Sequence, residues 1–241
     1  MKTPIALRRL NARHVPVASA LALAALIGIG GAVRFAAHSA PAPAPVPSST
    51  TPSAVAVPAP ATRAGEELAG LRIAAPGAMT GYSREQFGHS WATEAGSACD
   101  TREIVLHQQG QNVTSDPKTC QVTTGTWTSL YDGVTVHDAH ELDIDHLVPE
   151  AEAWRTGAAA WSPEQRKRFA NDYAGGELVA VTAHSNRSKG DEPPPDYMPV
   201  QSEWCRYATG WIEVKGHYRL TITAREHDAL ATMLGTCEAG R

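Results

Sequence analysis

The chain is 241 residues long with a formal net charge of −4, a length that allows one medium domain or two small ones. All 25 Asp and Glu follow position 63, whereas six of the 21 Lys and Arg precede residue 64. The rest of the chain therefore sets 15 basic against 25 acidic side chains, about −10 with histidine neutral. That balance excludes a protein that coats nucleic acid through a broad basic face, and it leaves room for an enzyme that grips one phosphodiester with a few local cations.

Residues 1–63 lack the patterning needed to join a core. Lys2, Arg8, Arg9 and Arg13 precede an uncharged run from His14 to Val33 rich in Ala, Leu, Ile and Gly. Positive charge followed by an apolar run is the layout of a secretion signal, and Ala37-His-Ser-Ala40 offers small residues for cleavage before Pro41. The run is also nearly long enough to span a bilayer. Residues 1–40 thus read as a cleaved signal peptide, which would release the protein, or as a signal anchor holding it on the membrane with the domain outside the cytoplasm. Residues 41–63, almost all Ala, Pro, Ser, Thr and Val, read as an extended spacer, leaving 64–241 as the folded domain.

Cys99, Cys120, Cys205 and Cys237 all lie in that domain, and none forms a Cys-x-x-Cys pair. An even count behind an export signal indicates two disulfides. Of the three pairings, Cys99 with Cys120 and Cys205 with Cys237 is favoured, because each closes a modest loop within one segment. Four reduced core thiols, or zinc held by all four, are the lesser readings.

In chain order, Ser83 with Gln86 three residues on suggests a short capped helix limited by Gly88. Ile104 and Leu106 alternate with Glu103 and His107, which predicts a strand over Thr101–Gln108, followed by a turn-rich loop through Asp116-Pro117. A strand from Gln121 to Leu130 leads through Tyr131-Asp132-Gly133 into Val134–His137, a hairpin pattern. Leu142–Val148 reads as a strand closed by Pro149, and Glu150–Thr156 as two helical turns before Gly157. Ser162-Pro-Glu-Gln165 is the clearest helix start, with the helix expected to reach about Tyr173. Leu178–Thr182 is a short strand and Ala183–Gly190 a polar turn or helix entry. Pro193-Pro194-Pro195 forbids regular helix. Helices are expected over Ser202–Gly216 and from Thr223, capped with Glu226, through Leu234.

The chemistry concentrates at Asp143-Ile-Asp145-His146. Strand periodicity puts both carboxylates on one face, about 7 Å apart, and turns His146 away unless the strand ends there. Imidazole suits proton abstraction from water near neutral pH, and carboxylate oxygen suits a hard divalent ion. A hydrogen-bonded network without chemistry fits the same four residues.

The string Glu141-Leu-Asp-Ile-Asp-His-Leu-Val-Pro149, followed by Asn186-Arg-Ser-Lys-Gly-Asp191, resembles the two halves of the HNH nuclease motif. Trp154-Arg-Thr-Gly-Ala158 and Arg168-Phe-Ala-Asn-Asp172 between them resemble secreted proteins of that type. The likeness runs from about Gly81 to Leu230, taking in Cys99-Asp-Thr-Arg102 and Trp211-Ile-Glu-Val-Lys215. It implies an α+β fold with a ββα-metal (His-Me finger) core and additional helices, in which a strand pair and a helix grip one ion. By position it implies His146 as general base, with Asp145 and Asn186 as catalytic metal ligands. Position 190, where the motif's last histidine is expected, is Gly; an Asp–Asn set suits Mg²⁺, with Mn²⁺ able to substitute, better than Zn²⁺ or Ni²⁺. The implied activity is a monomeric endonuclease without a small-molecule cofactor. It would cut nucleic acid, DNA first, with little sequence selectivity, leaving 5′-phosphate and 3′-hydroxyl ends.

Arg187, Lys189 and Arg102 are candidates for holding phosphate, against the plainer reading of solvated charges. Arg166, Lys167 and Arg168 span too wide a helical arc to face one phosphate, and Arg168 beside Phe169 is expected to anchor an inner surface. His137 and His140 are secondary candidates near the ion. Trp127, Trp154, Trp161, Trp204 and Trp211 read as packing anchors. Two rival functions fit the sequence: an exported wall-associated or binding domain that keeps the fold without catalysis, and a hydrolase of another phosphodiester.

Overall fold

A computed structural model of the chain describes residues 60–93 and 96–237. The signal over 1–40 and the spacer as far as residue 59 lie outside the described residues. Helix α1 (Pro60–Gly70) begins inside the end of the stretch read as spacer, and it buries Ala64 and Leu68, one turn apart. At Ser83 the expected capped helix is only a single 3-10 turn, Arg84–Gln86, and the serine side chain makes no capping bond.

Helix α2 (Thr101–Gln109) stands where alternation predicted a strand. Asp100 accepts from the Glu103 amide at 3.0 Å, a cap that opens a helix. Thr101, Val105 and Leu106 are the buried residues, a helical spacing, so a local cap and core burial override the period of two. Strands β1 (Gln111–Ser115), β2 (Val122–Thr128) and β3 (Thr135–Asp138) form an antiparallel sheet in that order. The β2–β3 hairpin turns through Tyr131-Asp132-Gly133 as expected, with Gly133 at φ 70°, whereas β1 occupies part of the expected loop.

Strand β4 (Leu142–His146) comes next, followed by α3 (Glu150–Thr156) and α4 (Pro163–Phe169). Ser162 and Gln165 close the capping box of α4. This helix stops short of Tyr173 because the Asp172 carboxylate accepts from the amides of Ala174 and Gly175, at 3.1 and 2.7 Å, and builds a turn instead. Strand β5 (Leu178–Thr182) pairs antiparallel with β4, from Leu142 opposite Thr182 to His146 opposite Leu178. It runs directly into α5 (Ala183–Lys189), which ends at Gly190 with φ 56°, a conformation that favours glycine. Helices α6 (Trp204–His217) and α7 (Ala224–Leu234) finish the domain, the latter capped by Thr223 and Glu226 as expected.

The β4–β5 ribbon lies between two apolar clusters. Leu142 and Ile144 face one, with Val105, Leu106, Trp127 and Leu178. Val181 belongs to the other, with Leu147, Val148, Phe169 and the inner faces of α6 and α7. Trp127, Trp154 and Trp211 are buried, and Trp161 and Trp204 pack against the core, the anchoring role expected of them. The inner anchor on α4 is Arg166 rather than Arg168: it donates to the Gln86 carbonyl at 3.1 Å and lies 5.3 Å over the Trp154 ring. Lys215 is fully buried yet paired, its ammonium 2.8 Å from Glu152 and 3.2 Å from Glu226, which joins α3, α6 and α7.

The disulfides join Cys99 to Cys120 and Cys205 to Cys237, the pairing favoured from the sequence. The second ties the start of α6 to the residues after α7. Replacing Cys205 or Cys237 by Ser should cost about 2–4 kcal/mol, with the double change costing little more than either single, since each single change already opens the same loop. Denaturant unfolding of the three variants checks this, and additive losses would count against it.

Candidate active site

A cleft of about 580 Å³ brings Asp143, Asp145, His146, Glu150, Asn186 and Arg102 to one surface. β4 supplies the first three. Asp143 and Asp145 share the ribbon face opposite Leu142 and Ile144, and α5 lies alongside that face. The strand ends at His146, which frees its side chain to turn into the same cleft.

The His146 ring is held on three sides. Its Nε2–H donates to the Ala170 carbonyl at 3.0 Å, and because a carbonyl only accepts, Nδ1 keeps its lone pair. Phe169 stacks on the ring at 6.1 Å with an 8° tilt, and Trp91 at 5.8 Å with a 28° tilt. Burial pushes the imidazole below its ordinary value, with Asp145 pulling the other way. The Glu150 carboxylate lies 3.8 Å from Nε2 and 4.0 Å from Arg84. Burial, reinforced by Asp191 and Asp145 and opposed by Arg84, pushes Glu150 up to about 7.

Asn186 donates through Nδ2 to Asp143 Oδ2 at 3.0 Å. A carboxylate oxygen accepts and does not donate, so the amide oxygen of Asn186 is turned away from Asp143. Asp145 Oδ2 accepts from the Tyr131 hydroxyl at 2.6 Å and from the Lys189 ammonium at 2.8 Å. Oδ1 of Asp145 accepts no hydrogen bond among the described residues. Those oxygens fit a hard divalent ion that retains several waters and takes one or two protein ligands. Among the described residues no group of three or more His, Cys, Asp or Glu could hold a metal by itself.

Not every expected residue reaches the cleft. Lys189 is fully buried and occupied by Asp145 and the His146 carbonyl, so it cannot hold a phosphate. Arg102 lines the cleft, although one of its nitrogens already serves the carbonyls of Ala139 and Leu142, at 3.0 and 3.1 Å. Arg187 is exposed and lies outside the lining. His137 bonds the Gly125 carbonyl at 3.1 Å, and neither it nor His140 lines the cleft. The sequence reading missed Trp91, Glu150, Arg84 and Tyr131. Only Glu150 carried a usable signal, one helical turn beyond His146 and directly after Pro149.

An antiparallel strand pair runs into a helix, and a histidine and acidic side chains converge where they meet, within a mixed α/β domain held by two disulfides. Residues 101–233 match the family described as GmrSD restriction endonucleases, C-terminal domain, and the chain belongs to that His-Me finger-related family. A relative described as an uncharacterized secreted protein, from Arthroderma benhamiae, is 46% identical over 178 residues, 73% of this chain and 86% of the relative. No solved structure matches the chain.

Because Glu150 holds its proton to about pH 7 in the fold and to about 4.5 when unfolded, the stability it contributes is present at low pH and lost as pH rises through 7. Glu150→Gln should therefore melt higher than the parent at pH 8 and close to it at pH 4. Equal differences at both pH values in thermal melts would refute this.

Proposed function

We propose that the protein is an exported, metal-dependent endonuclease that hydrolyses phosphodiester bonds of nucleic acid, DNA first, through a ββα-metal site formed by β4, β5 and α5. The observation that carries this reading is the setting of His146: its ring is fixed through Nε2, which leaves the lone pair of the neutral ring on Nδ1, and the residue lines a cleft together with Asp145 and Asn186. A buried, neutral imidazole anchored on a carbonyl is prepared to accept a proton.

Asp145 and Asn186 would hold one divalent ion, Mg²⁺ by the oxygen character of the set, with Mn²⁺ able to replace it. When bound, such an ion neutralises charge that builds on phosphate oxygens. His146 takes the proton of the attacking water at Nδ1. The Ala170 carbonyl keeps the ring in the one tautomer that leaves Nδ1 free, and Phe169 and Trp91 keep it from rotating. Asp143 acts on Asn186, holding the amide nitrogen so that the oxygen is presented to the ion. Arg84 and Arg102, which line the same cleft, would steady the phosphate. Attack in line with the 3′ oxygen leaves 5′-phosphate and 3′-hydroxyl ends. Contacts of this kind to the backbone carry no sequence information, so cutting would be weakly sequence-selective. The relative's description as secreted agrees with the signal in residues 1–40.

Plasmid nicking with Mg²⁺, and its loss with a chelator, tests the activity. His146→Ala should lower the rate by at least about 10² while melting temperature and metal affinity stay near the parent values. Nicking by that variant at the parent rate would show that the base is elsewhere. The parent rate should rise with pH as the imidazole deprotonates, with its midpoint below the ordinary histidine value of about 6.5, because burial lowers the pKa. A pH–rate profile still climbing steeply above pH 7 would contradict it.

A further inference from the structure

The geometry points to Lys189 and Tyr131 as positioning residues that clamp one oxygen of Asp145 from behind, so that the other oxygen and the end of β4 are presented to the ion and the substrate. This rests on the nuclease reading above and assigns to Lys189 a role different from phosphate binding.

Both residues are enclosed: Lys189 is fully buried and Tyr131 is 2% exposed. They converge on the same atom, Asp145 Oδ2, at 2.8 and 2.6 Å, and the ammonium lies 5.5 Å from the centre of the Tyr131 ring. Two donors on one carboxylate oxygen fix the plane of the group, which a single bond does not. The ammonium also donates to the His146 carbonyl at 3.0 Å, so the residue that carries the base is tied to the same point. Lys189 sits on α5 three residues after Asn186 and therefore near its face of the helix. Asn186 meets β4 through Asp143, and Lys189 meets it through Asp145. The ammonium thus sets the spacing between the helix that offers Asn186 and the strand that offers Asp145. Stability is a poor explanation for such a pair, since buried ion pairs gain little over apolar replacements of similar size. A fixed carboxylate is what a site demanding sub-ångström placement needs.

The clamp also has an electrostatic cost for the ion. A positive charge bonded to Oδ2 repels a cation bound through Oδ1 across a short path of low polarity. Removing the charge should therefore tighten binding of the ion while slowing the reaction, a combination that general damage to the fold does not produce.

The test uses the purified protein and its Lys189→Met and Tyr131→Phe variants. Mn²⁺ affinity is read by electron paramagnetic resonance without nucleic acid, and melting temperature and nicking are measured at saturating Mg²⁺. Lys189→Met should hold Mn²⁺ at least about tenfold more tightly and nick at least about 10²-fold more slowly. Tyr131→Phe keeps the charge and loses one bond, so Mn²⁺ affinity should stay within about threefold and nicking fall about tenfold, with the melting temperature nearly unchanged. If Lys189→Met does not fold, Tyr131→Phe decides alone. Parent-level nicking by the variants that fold, or Mn²⁺ binding by Lys189→Met no tighter than the parent's, would overturn the clamp. Failure of the nuclease reading looks different: the parent protein itself would cut nothing, and the Mn²⁺ comparison would still test the clamp.

Discussion

A carboxylate taken out of water needs partners, and the β4–β5 ribbon puts Asp143 and Asp145 on a face that a helix partly covers. α5 supplies those partners: Asn186 bonds Asp143, and Lys189, completed by Tyr131, bonds Asp145. This contact keeps the ribbon and the helix in one relation, and the remaining features of the cleft depend on it. Without the Lys189 charge, α5 would cover a bare acid on one side while the opposite ribbon face presses into apolar packing. The helix is only seven residues long, too short to hold its place by backbone hydrogen bonds alone, so its side-chain contacts decide where it sits.

His146 is placed by a different logic. It ends the strand, and the next two residues, Leu147 and Val148, drop into the helical cluster, with their amides bonded to the Glu177 carbonyl at 2.7 Å and the Glu177 carboxylate at 3.2 Å. Pro149 then opens α3. The ring is left where α4 finishes, and two consecutive residues there receive it: Phe169 as a stacking face and Ala170 as a carbonyl acceptor. The early end of α4 matters here, because residue 170 is the C-cap and its carbonyl lies in the last turn, where no later helical amide claims it. Trp91 also stacks on the ring and is itself held through the neighbouring Ala92 amide, which donates to Asn171 at 2.7 Å.

What was legible in the sequence follows from how local each signal is. Capping at Ser162 and Thr223, the hairpin at Gly133, the strand Leu178–Thr182 and the site residues of β4 and α5 are all written within a few consecutive positions. The disulfide pairing was also readable, because each loop closes within a single segment. Thr101–Gln109 was misread because the alternation of its polar and apolar residues is real, and the deciding facts are a capping bond from Asp100 and a non-local face against β2 and β5. Lys189 was misread for a related reason. A lysine in a polar, glycine-ended turn looks solvated, and only the tertiary position of Asp145 and Tyr131 buries it. Trp91 and Arg84 lie more than fifty residues before His146, and nothing in their local sequence marks them as neighbours of that histidine.

Under the proposed function, the acidity of the domain has to be set against a polyanionic substrate. Of the five acids that line the cleft, Asp145 is paired with Lys189, Asp143 is hydrogen-bonded to an amide and Glu150 keeps its proton up to about pH 7, which leaves Glu85 and Asp100. Arg84, whose side chain is 79% exposed, and Arg102 stand at the same lining. The remaining acidic surface repels a long polyanion at a distance, an effect that weakens as salt shortens the screening length to about 10 Å at 0.1 M. In the proposed nuclease, affinity for nucleic acid would come from the few groups at the cleft and from the ion. A protein built this way would bind its substrate loosely and briefly, and would be held to no particular sequence.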